Sequence, residues 1–189
     1  MKIINTSIPQ VLIIDPKVFY DQRGYFMESF SQALFAAKVF DTTFVQDNES
    51  KSRYGVLRGL HYQLPPFAQS KLVRVVSGKV LDVAVDIRRG SPTFGSYVAA
   101  ELTCENKLMM FIPRGFAHGF VVLSEECVFQ YKCDNYYSPE HEASISWDDS
   151  QVNIDWRLPL SDIILSDKDK NHPLLENAQL FDFKENLYK

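Results

Sequence analysis

The chain has 189 residues, 46% of them hydrophobic and 23% charged, a balance that fits a globular domain and argues against a disordered chain. Its formal net charge of −4 gives no electrostatic reason to expect nucleic acid as a partner, so an anionic ligand has to be met by a local cluster of Arg and Lys. No apolar run approaches the length of a bilayer span, and no membrane association is expected.

The amino terminus, Met1 to Thr6, opens directly into strand-like sequence without the pattern of a signal peptide. A helix is expected over residues 31–39, where Leu34, Phe35 and Val39 can share a face. Strands are expected over 55–63, 71–76, 97–102, 107–112, 119–123 and 127–133. Between 71–76 and 97–102, Leu81, Val83, Val85 and Ile87 alternate with Asp82, Ala84 and Asp86, the period of a half-buried strand. Turn material separates these runs: Ser77-Gly78, then Arg89-Gly90-Ser91-Pro92, then Pro113-Arg114-Gly115. After Trp156 the periodicity is weak, and short turns and helices packed on the strands are expected. Regular short strands without intervening helices suggest an antiparallel sandwich or barrel in place of βαβ units. No repeat or linker divides the chain. One domain over residues 1–189 is expected, with a barrel at about 45–135 and the two ends packed on it. Cys104, Cys127 and Cys133 are odd in number and lack metal-type spacing. Free thiols, a reducing compartment and a cytoplasmic location are the expectation.

Two segments carry chemistry. Pro113-Arg114-Gly115-Phe116-Ala117-His118 has the form Pro-x-Gly-x-x-His, and His61 precedes Gln63, Lys71 and Gly78. Together they resemble the two signatures of the cupin superfamily, which implies a mainly β, double-sheet jelly-roll barrel with a few short peripheral helices. A metal-binding cupin has a second His where this chain has Gln63, and a Glu where it has Lys71. A cation repels a divalent ion, and an amide is a poor replacement for imidazole. No metal and no cofactor are therefore expected. A lone His is more often a satisfied core residue than a reactive one. Three basic groups (His61, Lys71 and His118) turned into one barrel are costly unless a ligand or carboxylates compensate them.

Over nearly its whole length the sequence also resembles the dTDP-4-dehydrorhamnose 3,5-epimerase family. The runs that carry the resemblance include Asp21-Gln22-Arg23-Gly24-Tyr25-Phe26-Met27-Glu28, Gln46-Asp47-Asn48-Glu49-Ser50 and Gly55-Val56-Leu57-Arg58-Gly59-Leu60-His61-Tyr62-Gln63. Gln69-Ser70-Lys71-Leu72-Val73, Val83-Ala84-Val85-Asp86-Ile87-Arg88, Gly115-Phe116-Ala117-His118-Gly119-Phe120, Tyr131-Lys132 and Leu165-Ser166-Asp167-Lys168-Asp169 follow in order. The resemblance implies inversion at C3 and C5 of a dTDP-4-keto-6-deoxy-sugar. The C4 ketone acidifies both neighbouring C–H bonds, so the reaction needs a base, an acid on the other ring face and a positive group near the enolate oxygen.

By resemblance, His61 is the base, a role that suits a side chain titrating near neutrality. Asp169 orients it, with Asp167 as the alternative if the register of the tail shifts. Tyr131 is the acid; it shares strand parity with Cys127 and Phe129, which are expected to face inward. Lys71 stabilises the enolate, assisted by His118. Arg23, Glu28, Gln46, Asn48, Arg58, Glu142 and Lys168 contact nucleotide, pyrophosphate or sugar, and Tyr137 stacks on the base. Strict alternation places Arg58 opposite His61, so both reach one ligand only if the strand bends or bulges. His141 and His172 carry no such pattern and are expected at the surface. The family further implies a homodimer whose amino-terminal strands cross to the neighbour, so that Arg23 and Glu28 complete the partner's site. Related chemistries on the same frame are a mono-epimerase at C3 or C5 and a ketoisomerase. A silent sugar-binding cupin and a metal-dependent enzyme are the more distant alternatives.

Overall fold

The computed structural model describes residues 1–189. Fifteen strands and one α-helix follow one another as β1 (Lys2–Asn5), β2 (Leu12–Asp15), β3 (Val18–Asp21), β4 (Gly24–Met27), α1 (Gln32–Lys38), β5 (Gln46–Arg53), β6 (Leu57–Gln63) and β7 (Lys71–Ser77). Then come β8 (Lys79–Asp86), β9 (Arg88–Arg89), β10 (Tyr97–Thr103), β11 (Met109–Ile112), β12 (Phe116–Val122), β13 (Glu126–Cys133), β14 (Glu142–Ser144) and β15 (Phe181–Asp182). Short 3-10 turns punctuate the tail, among them Asp169–Asn171.

Two antiparallel sheets face each other, a six-stranded one in the order β1-β2-β11-β7-β13-β5 and a five-stranded one in the order β10-β8-β12-β6-β14. This is the expected mainly β, cupin-type double-sheet architecture. The core between the sheets joins Val73, Val75, Met110 and Phe129 of the first to Val80, Ala84, Phe116 and Phe120 of the second. Tyr131 packs against this core with Cys127 and Phe129, so the inward parity read for β13 is the one observed.

The half-buried reading of the 81–87 alternation needs correction. β8 is buried along almost its full length, because both faces of the five-stranded sheet are covered. Leu81, Val83 and Val85 pack against Val152, Trp156, Leu175 and Phe181 of the tail, while Val80 and Ala84 face the inter-sheet core. The alternating Asp residues therefore do not face water; Asp82 and Asp86 are both fully buried.

The helix forms where expected. Ser31 caps it by accepting a hydrogen bond from the Leu34 amide, and Phe35 is its one buried residue, packed on Ile14, Met109 and Phe111. Leu34 does not share that face and remains 41% exposed. β11 begins at Met109, two residues later than expected, after Lys107 takes a positive φ of 56°. β12 begins three residues early, at Phe116. Of the three free cysteines, Cys127 and Cys133 are buried small hydrophobes, whereas Cys104 is only partly buried.

Candidate active site

Strand β6 crosses the five-stranded sheet beside β12, with His61 opposite His118 and Arg58 opposite Phe120. Gly59 and Leu60 of β6 thus oppose the single Gly119 of β12, which is a β-bulge. The extra residue turns Arg58 to the same side as His61, and both line one cavity of about 660 Å³. Gly59 makes the bulge possible: its φ is 134°, and a Cβ there would lie 2.5 Å from Gly119 Cα.

The opposite wall is the six-stranded sheet. β7 contributes Lys71 and β13 contributes Tyr131, and Asn48 of β5 pairs in register with Tyr131. The carboxy-terminal tail forms the rim. Ile164 bridges Val56 and its carbonyl accepts from the Leu57 amide at 2.9 Å, so the tail runs alongside β6. That docking brings Asp169 to His61.

His61 Nε2 donates to Asp169 Oδ1 at 2.7 Å, which leaves Nδ1 with the free lone pair. Asp169 Oδ2 accepts from the Ser166 hydroxyl at 2.6 Å. Burial works against the Asp169 charge, but the hydrogen bonds from His61 and Ser166 outweigh it and bring its pKa down to about 2. Asp167, the alternative partner, has a fully exposed side chain and pairs with Lys170 at 2.8 Å.

Deeper in the barrel, His118 Nε2 lies 3.0 Å from Asp82 Oδ2. Burial holds the Asp82 carboxyl above its ordinary range and His118 below its own. Asp82 is a compensating carboxylate that the sequence reading missed. Burial also lowers the pKa of Lys71, opposed by the nearby Cys133, Asp82 and Glu142. Its ammonium stands 5.9 Å from the centre of the Tyr131 ring. Burial raises the Tyr131 phenol, keeping it a proton donor. Gln63 borders the side of the cavity but its amide is taken up by loops: it donates to the Phe67 and Tyr136 carbonyls and accepts from the Ser138 amide. Two of the former cupin ligand positions thus hold a loop-tying amide and an ammonium.

A side chamber sharing Asn48, His61, Lys71 and Tyr131 with the main cavity extends to Gln46, Tyr137 and Glu142. Tyr137 donates to Glu142 at 2.9 Å, and Lys168 Nζ sits 2.6 Å from the same carboxylate oxygen. Burial disfavours the Glu142 charge, but these bonds from Lys168 and Tyr137 more than offset it and lower its pKa. Gln46 accepts from the Tyr137 amide and donates to Asn48. Tyr137 itself is exposed at the mouth.

Arg23 and Glu28 are not brought to this cavity. Arg23 is exposed beside Asp21 at the turn of the β3–β4 hairpin, and Glu28 borders a separate apolar groove with Phe19, Phe26 and Leu34. The surface expectation for His172 is also overturned. Its side chain is only 6% exposed, and its ring meets His61 edge to face with centroids 5.3 Å apart. His141 is half-buried, bonded to Ser138 and packed on Phe67.

Residues 5–177 match the family model described as dTDP-4-dehydrorhamnose 3,5-epimerase. The Shigella flexneri dTDP-4-dehydrorhamnose 3,5-epimerase is 56% identical over 182 residues, spanning 96% of this chain and 99% of that protein. The crystal structure of dTDP-4-dehydrorhamnose 3,5-epimerase from Elizabethkingia anophelis superposes with a TM-score of 0.90 at 52% identity, covering 94% of this chain and 97% of that one. A Legionella pneumophila dTDP-6-deoxy-D-glucose-3,5-epimerase, crystallised with dTDP-4-keto-L-rhamnose, gives a TM-score of 0.92 at 49% identity, covering 97% and 99% of the two chains. The chain belongs to the dTDP-4-dehydrorhamnose 3,5-epimerase family.

Proposed function

We propose that this cavity converts dTDP-4-dehydro-6-deoxy-D-glucose to dTDP-4-dehydro-L-rhamnose by inverting C3 and C5. One observation carries the assignment: a carboxylate-held imidazole, His61, and a protonated phenol, Tyr131, enter one cavity from opposite sheets. A sugar ring held between them presents one face to each. His61 Nδ1 removes the proton beside the ketone, and the electron pair moves onto the C4 oxygen as an enolate. Tyr131 then returns a proton to the other face of the same carbon. The ketone acidifies both neighbouring carbons, so the same pair serves C3 and C5 once solvent has taken the proton from His61 and returned one to Tyr131, and no electrons are exchanged with a cofactor.

Lys71 and His118 lie where they can receive the developing charge on the C4 oxygen. Burial disfavours the Lys71 charge, and the enolate supplies an anionic partner to it. Asp169 fixes the His61 tautomer. Arg58, Lys168, Gln46 and Asn48 surround the cavity and its chamber as contacts for pyrophosphate and sugar, and Tyr137 offers a ring to the nucleotide base. Turnover in deuterated water tests the assignment: deuterium appears at both C3 and C5 of the product. Label at only one carbon identifies a mono-epimerase and overturns it.

The enzyme works in the cytoplasm as a homodimer in which Arg23 and Glu28 complete the neighbour's site. Support comes from the β3–β4 hairpin, where Phe19, Tyr20, Tyr25 and Phe26 are 51%, 70%, 51% and 70% exposed beside these two charged residues. Mixing inactive Arg23→Ala and His61→Ala chains under exchange conditions creates one intact site per mixed dimer. Random pairing restores about a quarter of wild-type activity. Absence of any recovery contradicts a shared site.

A further inference from the structure

His172 is unused by the proposed reaction and does not line the cavity, yet its side chain is buried against the base. Neither ring nitrogen has a hydrogen-bond partner in the protein, although a buried polar atom is normally paired. One donor atom from each of His61, Asp169 and His172 lies within 4.8 Å of the others. His172 Nε2 stands 3.9 Å from Asp169 Oδ1, the oxygen that holds His61 Nε2 at 2.7 Å.

Two imidazoles and a carboxylate are a donor set for a borderline divalent ion, and three protein ligands leave a fourth position for water. Tetrahedral zinc spaces neighbouring donors ~3.3 Å apart. The 2.7 Å hydrogen bond therefore has to open and the 3.9 Å gap has to close, each by roughly 0.6 Å, and the two imidazole nitrogens, within 4.8 Å of each other, have to approach by up to about 1.5 Å, which side-chain rotation can supply. Ser166 already holds the second oxygen of Asp169 at 2.6 Å, the outer support that metal-binding carboxylates use. Lys168 and Lys170, the cations flanking Asp169, turn their ammonium groups onto Glu142 and Asp167.

We propose that His61, Asp169 and His172 form a binding site for a zinc-class divalent ion, and that its occupation inhibits the enzyme. The ion replaces the proton between His61 and Asp169. It either occupies Nε2 in place of that hydrogen bond, the displaced proton moving to Nδ1, or takes Nδ1 itself after the ring turns; in both cases the Nδ1 lone pair offered to the substrate is lost. Binding itself stands on the donor geometry. Only the inhibition rests on the reading of His61 as the base.

Calorimetric titration of the apoprotein with zinc chloride, without substrate, tests the site. One ion per chain is expected to bind to the wild type. His172→Phe keeps a packed ring without donors and is expected to weaken binding about 100-fold or more, beyond what loss of an outer support does to metal affinity. His172→Cys supplies a thiolate and retains binding, which separates loss of a ligand from loss of the fold. Zinc is expected to inhibit turnover of the wild type and His172→Cys, reversibly by chelation, at concentrations that leave His172→Phe unaffected. No stoichiometric binding to the wild type, or equal binding to His172→Phe, overturns the site. If zinc binds as expected but the wild type does not turn over the keto-sugar nucleotide, the site stands and the functional reading fails.

Discussion

The polar groups buried in this protein divide into those that hold the fold and those that wait for a ligand. Asp86 belongs to the first kind. It is fully buried, and burial raises its pKa, but bonds from Arg88, Ser91 and Thr93 overcome that and leave it below the ordinary carboxylate value. A carboxylate with a depressed pKa contributes stability that is complete above its unfolded pKa of about 3.9 and is lost as pH falls through the folded value. Asp86→Ala should therefore cost about 3–5 kcal/mol near neutrality, the loss seen when one partner of a buried pair is removed. The difference from wild type should shrink below about pH 4 in urea unfolding. A difference that stays constant with pH contradicts this account. Asp82 pairs with His118 inside the barrel, and His61 with Asp169 at its rim. The motif spacing turned His61, Lys71 and His118 into one barrel, and the family resemblance with strand parity added Tyr131; all four line one cavity. The spacing could not find Asp82, because an Asp in a strand with alternating polarity reads as solvent-facing. His172 escaped for a different reason: one His in an irregular tail has no period, and its burial follows entirely from how that tail folds back.

Most strands rich in apolar residues were legible, β2 (Leu-Ile-Ile-Asp) being an exception, and the polar ones were not. β5 reads Gln-Asp-Asn-Glu-Ser-Lys-Ser-Arg and has no hydrophobic signal, yet it pairs with β13 over its whole length. The reason is functional. Its inward positions include Gln46 and Asn48, which line the cavity, so the strand carries ligand-facing polarity where others carry core. The β3–β4 hairpin, for which the pattern gave no expectation, turns its aromatic residues outward. In β6, period-two alternation separated Arg58 from His61. The bulge at Gly59 places them together, at a point where any side chain would strike Gly119. A bulge adds one residue and reverses parity beyond it. Such a change is visible in sequence only as an unexplained glycine. The 81–87 segment shows the same limit at the level of layers: its alternation was real, but the tail covers the face that would otherwise meet water.

At the scale of the molecule, the double sheet gives the substrate two walls. The five-stranded sheet carries His61 and His118, the six-stranded sheet carries Lys71 and Tyr131, and the tail closes the rim with Asp169 and Lys168. Inversion of a carbon needs a proton removed from one side and returned from the other, and two facing sheets provide that separation without a moving part. The barrel's double-sheet architecture followed from strand spacing and the two signatures, whereas the rim did not, because its position depends on the tail's contacts with β6. The central claim is that base and acid sit on opposite walls, and solvent exchange in two variants tests it most directly. In deuterated water, Tyr131→Phe keeps the base. It should incorporate deuterium at C3 or C5 with the original configuration retained, while inversion slows by roughly 10²–10⁴-fold. His61→Ala should neither exchange nor invert. Rapid exchange in His61→Ala, or undiminished inversion in Tyr131→Phe, would contradict the account.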